Sequence, residues 1–110
     1  WWYVDTFLKS GNASLTLADR AATHATDVWH AVALTYDGRS MMHYVDGVRD
    51  ASGPVAMSPL GQGRTSIGVR QNLVYWFKGR MALIRVTSDA LPSTRLLVRP
   101  ARLVAQKRTR

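Results

Sequence analysis

Hydrophobic and polar residues alternate in two runs near the middle of the chain, over residues 29–36 and 41–46. Asp37-Gly38 follows the first run, and Asp46-Gly47 follows the second. An Asp-Gly pair between alternating segments is a strong signal for a tight β-turn, because glycine accepts the positive φ that such turns need. The pattern therefore predicts a meander of three antiparallel strands.

Turn-forming residues divide the rest of the chain into short segments of strand-like composition. The candidate strands lie at residues 2–8, 14–18, 28–36, 41–46, 47–51, 65–69 and 80–87. In the segment 28–36 both faces carry bulky apolar side chains, as in a strand buried between two layers. Short strands separated by regular turn signals favour an all-β fold, either a sandwich or a barrel.

Two segments carry a family resemblance. Residues 29–47 resemble the centre of laminin-G-like, concanavalin A-like jelly-roll domains, and residues 77–86, followed by Ala90-Leu91, resemble the strand that closes such a domain. The resemblance covers roughly residues 13–91 and implies an antiparallel two-sheet β-sandwich with Trp29 enclosed in its core. The complete family domain has further N-terminal strands. Either residues 1–8 replace them, or another chain covers the gap, or this chain is a truncated piece of the domain.

Positive charge is concentrated near the C-terminus. The 110 residues carry a formal charge of +8, and residues 95–110 supply +6 of it, because they hold six Lys and Arg and no acid. We expect one β-sandwich domain over residues 1–92 and a basic tail over residues 93–110. Such a tail can bind phosphate backbones or anionic lipid. A solvated tail is favoured, because no base-reading element accompanies it, so nucleic acid is not the expected partner.

The apolar stretches predict no membrane span, because none approaches ~18 consecutive apolar residues. The chain has no cysteine, which excludes disulfides and thiolate metal sites. The family resemblance implies an extracellular or cell-surface protein. Since the chain begins at Trp1, any export signal would lie outside it.

Catalysis is not expected, although some relatives of this fold are glucanases. Hydrolysis of a glycosidic bond normally uses two carboxyl groups that flank the bond, and the sandwich-type glucanases use a pair of glutamates. This chain has no glutamate, and its seven acidic residues are all aspartates. We expect Asp37, Asp46 and Asp50 to form turns, where aspartate side chains bond nearby backbone N–H groups. No serine lies in a glycine-flanked nucleophile elbow.

Metal and cofactor sites are not expected either. His24, His30 and His43 lack the close spacing of a zinc site, and His30 with His43 is interpreted as a polar pair across the hairpin. Relatives commonly place an acidic pair, which can serve a calcium site, where this chain has Ala82-Leu83. Because calcium needs six or more oxygen ligands, the two apolar residues argue against such a site.

Aromatic and amide side chains just before residue 77 give the binding hypothesis. The candidate carbohydrate-binding residues are Arg70, Asn72, Tyr75 and Trp76. Sugars stack on aromatic rings while amide and guanidinium groups bond their hydroxyls. The alternative for Tyr75 and Trp76 is that they close the end of the sandwich, and for Phe77 this structural role is favoured.

The predicted function is a non-catalytic, lectin-like module that binds carbohydrate or a protein ligand. The alternative is a structural or protein-interaction element without a sugar ligand, which associates through its open sheet edge.

Overall fold

The computed structural model describes residues 1–98, and its regular structure is almost entirely β. The elements are β1 (Asp5–Ser10), β2 (Ala13–Ala18), β3 (Val32–Tyr36), β4 (Ser40–Val45), β5 (Val48–Pro54) and a 3-10 turn (Ser93–Arg95). β1 and β2 form a two-stranded antiparallel sheet, and β3, β4 and β5 form a three-stranded antiparallel sheet in that order. The predicted all-β fold with two antiparallel sheets is confirmed.

The chain divides into two compact units. The first comprises Trp1–Ser58 with the segment that begins at Asp89, and it contains all five strands. The second is Pro59–Ser88, which is built from bends and turns. Among residues 1–98, no helix is long and apolar enough to span a membrane. Of the predicted basic tail, residues 99–110 lie outside the described part of the chain.

The two Asp-Gly turns of the meander form as predicted. Gly38 and Gly47 adopt φ values of +94° and +82°, which are left-handed conformations that glycine tolerates. Asp37 supports its turn, because Oδ1 accepts the backbone N–H groups of Ser40 (2.7 Å) and Arg39 (2.8 Å). These two bonds favour the ionised carboxylate and lower the pKa of Asp37. The prediction that Asp37 forms a turn is confirmed.

The β1–β2 hairpin has one apolar face. In its register Leu8 lies opposite Leu15 and Thr6 lies opposite Leu17, so these four side chains share a face. Leu17 is buried, and the other three are partly buried. The residues between them point the other way, and Phe7 is exposed there. The hairpin therefore has an inner, largely apolar face and an outer, exposed face.

The three-stranded sheet has its buried side chains on alternate residues of β4. Met41, His43 and Val45 are buried. Met41 forms a core cluster with Leu17 of the hairpin and with Val55, which follows β5 directly. Each fully buried aliphatic side chain of this kind contributes about 1.5–3 kcal/mol to folding.

Gly53 allows the hairpin to approach the larger sheet closely. A Cβ atom at this position would lie 2.9 Å from Cδ1 of Leu15 and 3.0 Å from Cδ2 of Leu17. Since real Cβ atoms do not come so close to other carbons, only glycine fits without movement of the two leucines. The inner face of the hairpin therefore packs directly against β5, as in a sandwich.

Two predicted strands do not form in the described residues. Residues 65–69 bend at Gly68 (φ +81°), and residues 80–87 pair with no other strand. A strand is stable only where a neighbour takes its backbone hydrogen bonds, and an apolar pattern does not supply that neighbour. The predicted strands at 65–69 and 80–87, and with them the closing strand inferred at 77–86, are therefore wrong.

The first residues of the chain do not join the strand predicted at 2–8, because the backbone of Trp2 is hydrogen-bonded to that of His24. Trp2 N–H donates to the carbonyl of His24 (3.0 Å), and His24 N–H donates to the carbonyl of Trp2 (2.7 Å). These two bonds fasten Trp2 to the loop that follows β2. The strand predicted at 2–8 accordingly lies at Asp5–Ser10.

The strand predicted at 28–36 begins only at Val32. Ala31 is held by Asp46, whose Oδ1 accepts the Ala31 N–H (2.9 Å) and whose own N–H donates to the Ala31 carbonyl (2.8 Å). Trp29 lies before the strand and is only half-buried, so the prediction that it is enclosed between the sheets is wrong.

The last strand of the meander was predicted at 47–51 and extends over Val48–Pro54. It contains an irregularity, because Tyr44 pairs with Arg49 whereas His43 pairs with Ala51. Asp50 is the extra residue of this bulge. The prediction that Asp50 belongs to a turn is therefore wrong.

Candidate functional site

The predicted binding residues lie on one loop, residues 70–76, which backbone hydrogen bonds close. Leu73 N–H donates to the Arg70 carbonyl (2.8 Å), as in a four-residue β-turn, and Arg70 N–H donates to the Val74 carbonyl (3.2 Å). At the base of the loop, Phe77 N–H donates to the Gly68 carbonyl (2.7 Å). We call residues 70–76 the binding loop.

Side-chain bonds fix the loop further. The indole N–H of Trp76 donates to the Leu73 carbonyl (3.1 Å), which orients the ring against the turn. The side-chain amide of Gln71 donates to the carbonyl of Arg64 and ties the loop to the preceding segment. Because these contacts restrain the loop before any ligand arrives, less conformational entropy would be lost on binding.

Both aromatic rings of the binding loop face solvent. Tyr75 is 78% exposed and Trp76 is 63% exposed. The guanidinium carbon of Arg70 lies 5.3 Å from the centre of the Tyr75 ring, within the range of a cation–π contact. The loop thus presents two solvent-exposed aromatic rings, and the guanidinium group of Arg70 lies over one of them, that of Tyr75.

The backbone of the loop is strained beside these rings. Leu73 and Tyr75 adopt positive φ values of 61° and 57°. This conformation is uncommon for residues other than glycine and rare for bulky ones, and such strain concentrates at functional sites.

Asn72 occupies the third position of the β-turn and is exposed, so its amide is accessible on the same loop as the two rings. Phe77, by contrast, was predicted to fill the end of the sandwich. It is 56% exposed and its ring lies against Gly79, where a Cβ atom would be 2.6 Å from the ring. The structural role predicted for Phe77 is therefore wrong.

A second cluster, in the first unit, was not predicted from the sequence. The Trp2 ring lies 4.9 Å from the ring of His24 and 5.2 Å from the ring of His30, and the two imidazoles are 5.8 Å apart. His24 Nε2 is 2.5 Å from Oδ2 of Asp50, and His30 Nδ1 is 2.7 Å from Oδ2 of Asp46. We call these five residues the histidine cluster.

His30 bonds oxygen atoms through both ring nitrogens. In addition to the Asp46 carboxylate, the carbonyl of Ala25 lies 3.0 Å from Nε2. A carbonyl and a carboxylate only accept hydrogen bonds, so the arrangement is fully satisfied when both nitrogens carry hydrogen. The Trp2 indole N–H donates to the same carbonyl (3.0 Å), which joins the chain start to this loop.

The predicted polar pair of His30 with His43 does not form. His43 lies opposite Leu34 in the sheet, is fully buried, and has Nε2 2.6 Å from Oγ1 of Thr6. Its other nitrogen, Nδ1, has no hydrogen-bond partner. Burial disfavours the charged ring and lowers the pKa of His43, although the carboxylates of Asp50 and Asp5 act in the opposite direction.

The histidine cluster links the loop after β2 and the residues before β3 to the β4–β5 hairpin. Each imidazole takes one carboxylate from the β4–β5 hairpin. In residues 1–98, no group of three or more His, Cys, Asp or Glu side chains is arranged to hold a metal ion. No local sequence pattern indicates this cluster, because its members are brought together by the sheet register and the bulge at Asp50.

Comparisons with known proteins identify the fold family. Neither the curated proteins nor the solved structures give a significant match. The family model Laminin G 3, described as the concanavalin A-like lectin/glucanases superfamily, matches residues 3–96. The match spans all five strands and also the binding loop. The chain therefore belongs to the concanavalin A-like lectin/glucanases superfamily.

Proposed function

We propose that this chain is a non-catalytic, lectin-like module that binds carbohydrate through Arg70, Asn72, Tyr75 and Trp76. The observation that carries the proposal is the exposure of Tyr75 and Trp76 on a loop that backbone and side-chain bonds restrain. Large aromatic rings are normally buried, so two adjacent open rings on a fixed loop are typical of a contact surface.

The chemistry of the loop suits a sugar. The C–H faces of a pyranose ring stack on Tyr and Trp, while its hydroxyls need planar donors and acceptors beside the rings. Asn72 supplies a donor and an acceptor, and Arg70 supplies donors from a guanidinium that already lies over Tyr75. The superfamily includes lectins, which agrees with this assignment.

The absence of glutamate from the sequence supports a non-catalytic role. The aspartates of the meander also have structural partners: Asp37 bonds its own turn, Asp46 bonds His30, and Asp50 bonds His24. A glycosidase needs two carboxyl groups on opposite sides of an open cleft. These three carboxylates instead bond a turn backbone or a histidine ring.

The first test is a glycan array, followed by calorimetry with the glycans that bind. Trp76→Ala and Tyr75→Ala each remove one ring, and we expect each to weaken binding about tenfold or more, by analogy with the ~1–3 kcal/mol that stacked rings contribute to nucleobase binding. Trp1→Ala is the matched control, because Trp1 is also an exposed tryptophan and lies outside the loop. Unchanged affinity in both loop variants would remove the loop as the site.

A second candidate function, a structural or protein-interaction element, is favoured by one observation. β3 is an edge strand of the three-stranded sheet, and its Val32 and Leu34 are 52% and 51% exposed. An edge strand with apolar side chains and no charge is open to pairing with another chain. On this alternative the purified protein elutes as an obligate oligomer in size-exclusion chromatography, whereas the lectin proposal predicts a folded monomer.

We further propose an extracellular or cell-surface location, where polysaccharide ligands are accessible. Family membership supports this placement. Immunolabelling of intact and permeabilised cells that produce the parent protein tests it, and labelling only after permeabilisation would contradict it.

A further inference from the structure

The turn of the β1–β2 hairpin contains an acceptor sequence for a covalently attached glycan. Asn12 is followed by an alanine and then by Ser14, which gives the pattern Asn-X-Ser with an X that is not proline. In exported proteins this pattern marks an asparagine whose side chain can receive a glycan. The other asparagine of the chain, Asn72, has Val74 two positions on and therefore lacks the required hydroxyl residue.

Asn12 lies at the tip of the hairpin, where an enzyme can reach it. Ser10 pairs with Ala13 at the end of the ladder, so Gly11 and Asn12 form a two-residue turn. Asn12 is exposed to solvent. A Cβ atom on the neighbouring Gly11 would meet no atom within 4 Å beyond its chain neighbours. The space around the tip is therefore open.

Ser14 lies on the outer face of the hairpin, away from the core. The side chains of β2 alternate between two faces, and Ser14 and Thr16 are exposed whereas Leu17 is buried. The residue opposite Ser14 in β1 is Lys9, which is exposed as well. A glycan that extends from the turn over this outer face leaves the apolar contacts of the inner face in place.

We propose that Asn12 is an N-glycosylation site, whose co-substrate is a lipid-linked glycosyl diphosphate. In the transfer, the amide nitrogen of Asn12 forms a bond to the anomeric carbon of the first sugar. The bond between that carbon and the phosphate oxygen breaks, the diphosphate leaves with the electron pair, and the nitrogen loses one proton. Ser14 serves recognition, because its hydroxyl belongs to the sequence that the transferring enzyme requires. The inference rests on the proposed extracellular location, since such glycans are attached to exported chains.

The alternative for Asn12 is a role in the turn alone. Gly-Asn is a frequent pair in two-residue hairpin turns, because glycine tolerates positive φ and asparagine bonds nearby backbone groups. This role does not involve the side chain of Ser14, which points to solvent from the following strand. The two explanations therefore differ at Ser14, because only glycosylation depends on its hydroxyl.

The test is mass spectrometry of the parent protein recovered from outside the cells that produce it. Trypsin cleaves after Lys9 and Arg20, so the peptide 10–20 contains Asn12 as its only asparagine. We expect most copies of this peptide to carry a glycan. Treatment with peptide-N-glycosidase in heavy-oxygen water should release the glycan and convert the asparagine to an aspartate that carries the heavy-oxygen label.

Variants made in the same cells test the acceptor sequence. Asn12→Gln removes the acceptor amide, and Ser14→Ala removes the hydroxyl while the asparagine stays, so we expect both to lose the glycan completely. Ser14→Thr keeps a hydroxyl and should stay glycosylated. Thr16→Ala is the matched control, because Thr16 is an exposed hydroxyl residue on the same face of β2 but outside the acceptor sequence. This control should keep the glycan.

The outcomes separate this inference from the proposed location. An unmodified peptide 10–20 in protein recovered from outside the cells would overturn the glycosylation site and leave the location standing. Protein that occurs only inside the cells, with an unmodified Asn12, would overturn both. A glycan that persists in Ser14→Ala, or one that is attached to a serine or threonine of the peptide, would also overturn the inference.

Discussion

Nδ1 of His30 lies 2.7 Å from Oδ2 of Asp46, and this contact joins the residues before β3 to the turn between β4 and β5. The other oxygen of the same carboxylate accepts the N–H of Ala31 (2.9 Å), and Asp46 N–H donates to the Ala31 carbonyl (2.8 Å). Asp46 itself has a φ of 52°, which aspartate and asparagine tolerate better than most residues. One residue therefore both makes the turn and anchors the start of β3.

Replacement of Asp46 should destabilise the first unit. Asp46→Ala leaves His30 and Ala31 without their side-chain acceptor, and we expect a loss of about 1–3 kcal/mol in the free energy of unfolding. Asp46→Asn keeps an amide oxygen and the tolerance for positive φ, so its loss should be smaller. Urea unfolding monitored by circular dichroism measures both. An Asp46→Ala variant as stable as the unaltered protein would contradict the anchoring role.

Burial of His43 makes stability depend on pH. Because burial lowers the pKa of His43, the unfolded chain takes up the proton at a higher pH than the folded chain does. Stability is therefore lost as pH falls below the usual histidine value near 6.5. In His43→Leu this contribution disappears, so the stability loss between about pH 7.5 and about pH 5.5 should be smaller than in the unaltered protein.

The comparison isolates His43, since His24 and His30 are present in both proteins. Urea unfolding at the two pH values gives the difference directly. An equal loss in both proteins would show that the imidazole of His43 is not the group whose burial matters.

Close packing at Gly53 gives a further prediction. Gly53→Ala would place a Cβ atom 2.9 Å from Leu15 Cδ1. Since that atom ends a flexible side chain, the leucine can shift, and we expect destabilisation of about 1–3 kcal/mol, as for overpacked cores. Gly61→Ala is the control, because a Cβ atom there has no neighbour within 4 Å. Thermal unfolding of the pair measures the effect, and equal melting temperatures would contradict the packing described for β5.

The elements that could be predicted from the sequence are those that depend on local chemistry. The Asp37-Gly38 and Asp46-Gly47 turns specify two hairpins by themselves, and β3, β4 and β5 pair accordingly. Residues 80–87 have an equally strand-like pattern, but a strand also needs a neighbour with a matching register, which no local pattern encodes. Prediction succeeded where the partner strand is adjacent in the chain.

The same distinction applies to the candidate sites. The exposed rings of Tyr75 and Trp76 were predicted as candidates because they lie together in the sequence. The pairing of His24 with Asp50 could not be predicted, because it joins residues 26 positions apart and depends on a bulge that adds Asp50 to β5. Contacts that depend on strand register can be identified only from the folded structure.

The most direct test of carbohydrate binding by residues 70–76 is an NMR titration of the four tryptophan indole N–H signals with a glycan that binds. The Trp76 indole donates to Leu73 within the loop, whereas the Trp2 indole donates to Ala25 in the other unit. We expect the Trp76 signal to shift in proportion to ligand bound while those of Trp1, Trp2 and Trp29 stay in place. A saturating ligand that shifts any of these three and leaves Trp76 unmoved would contradict the account.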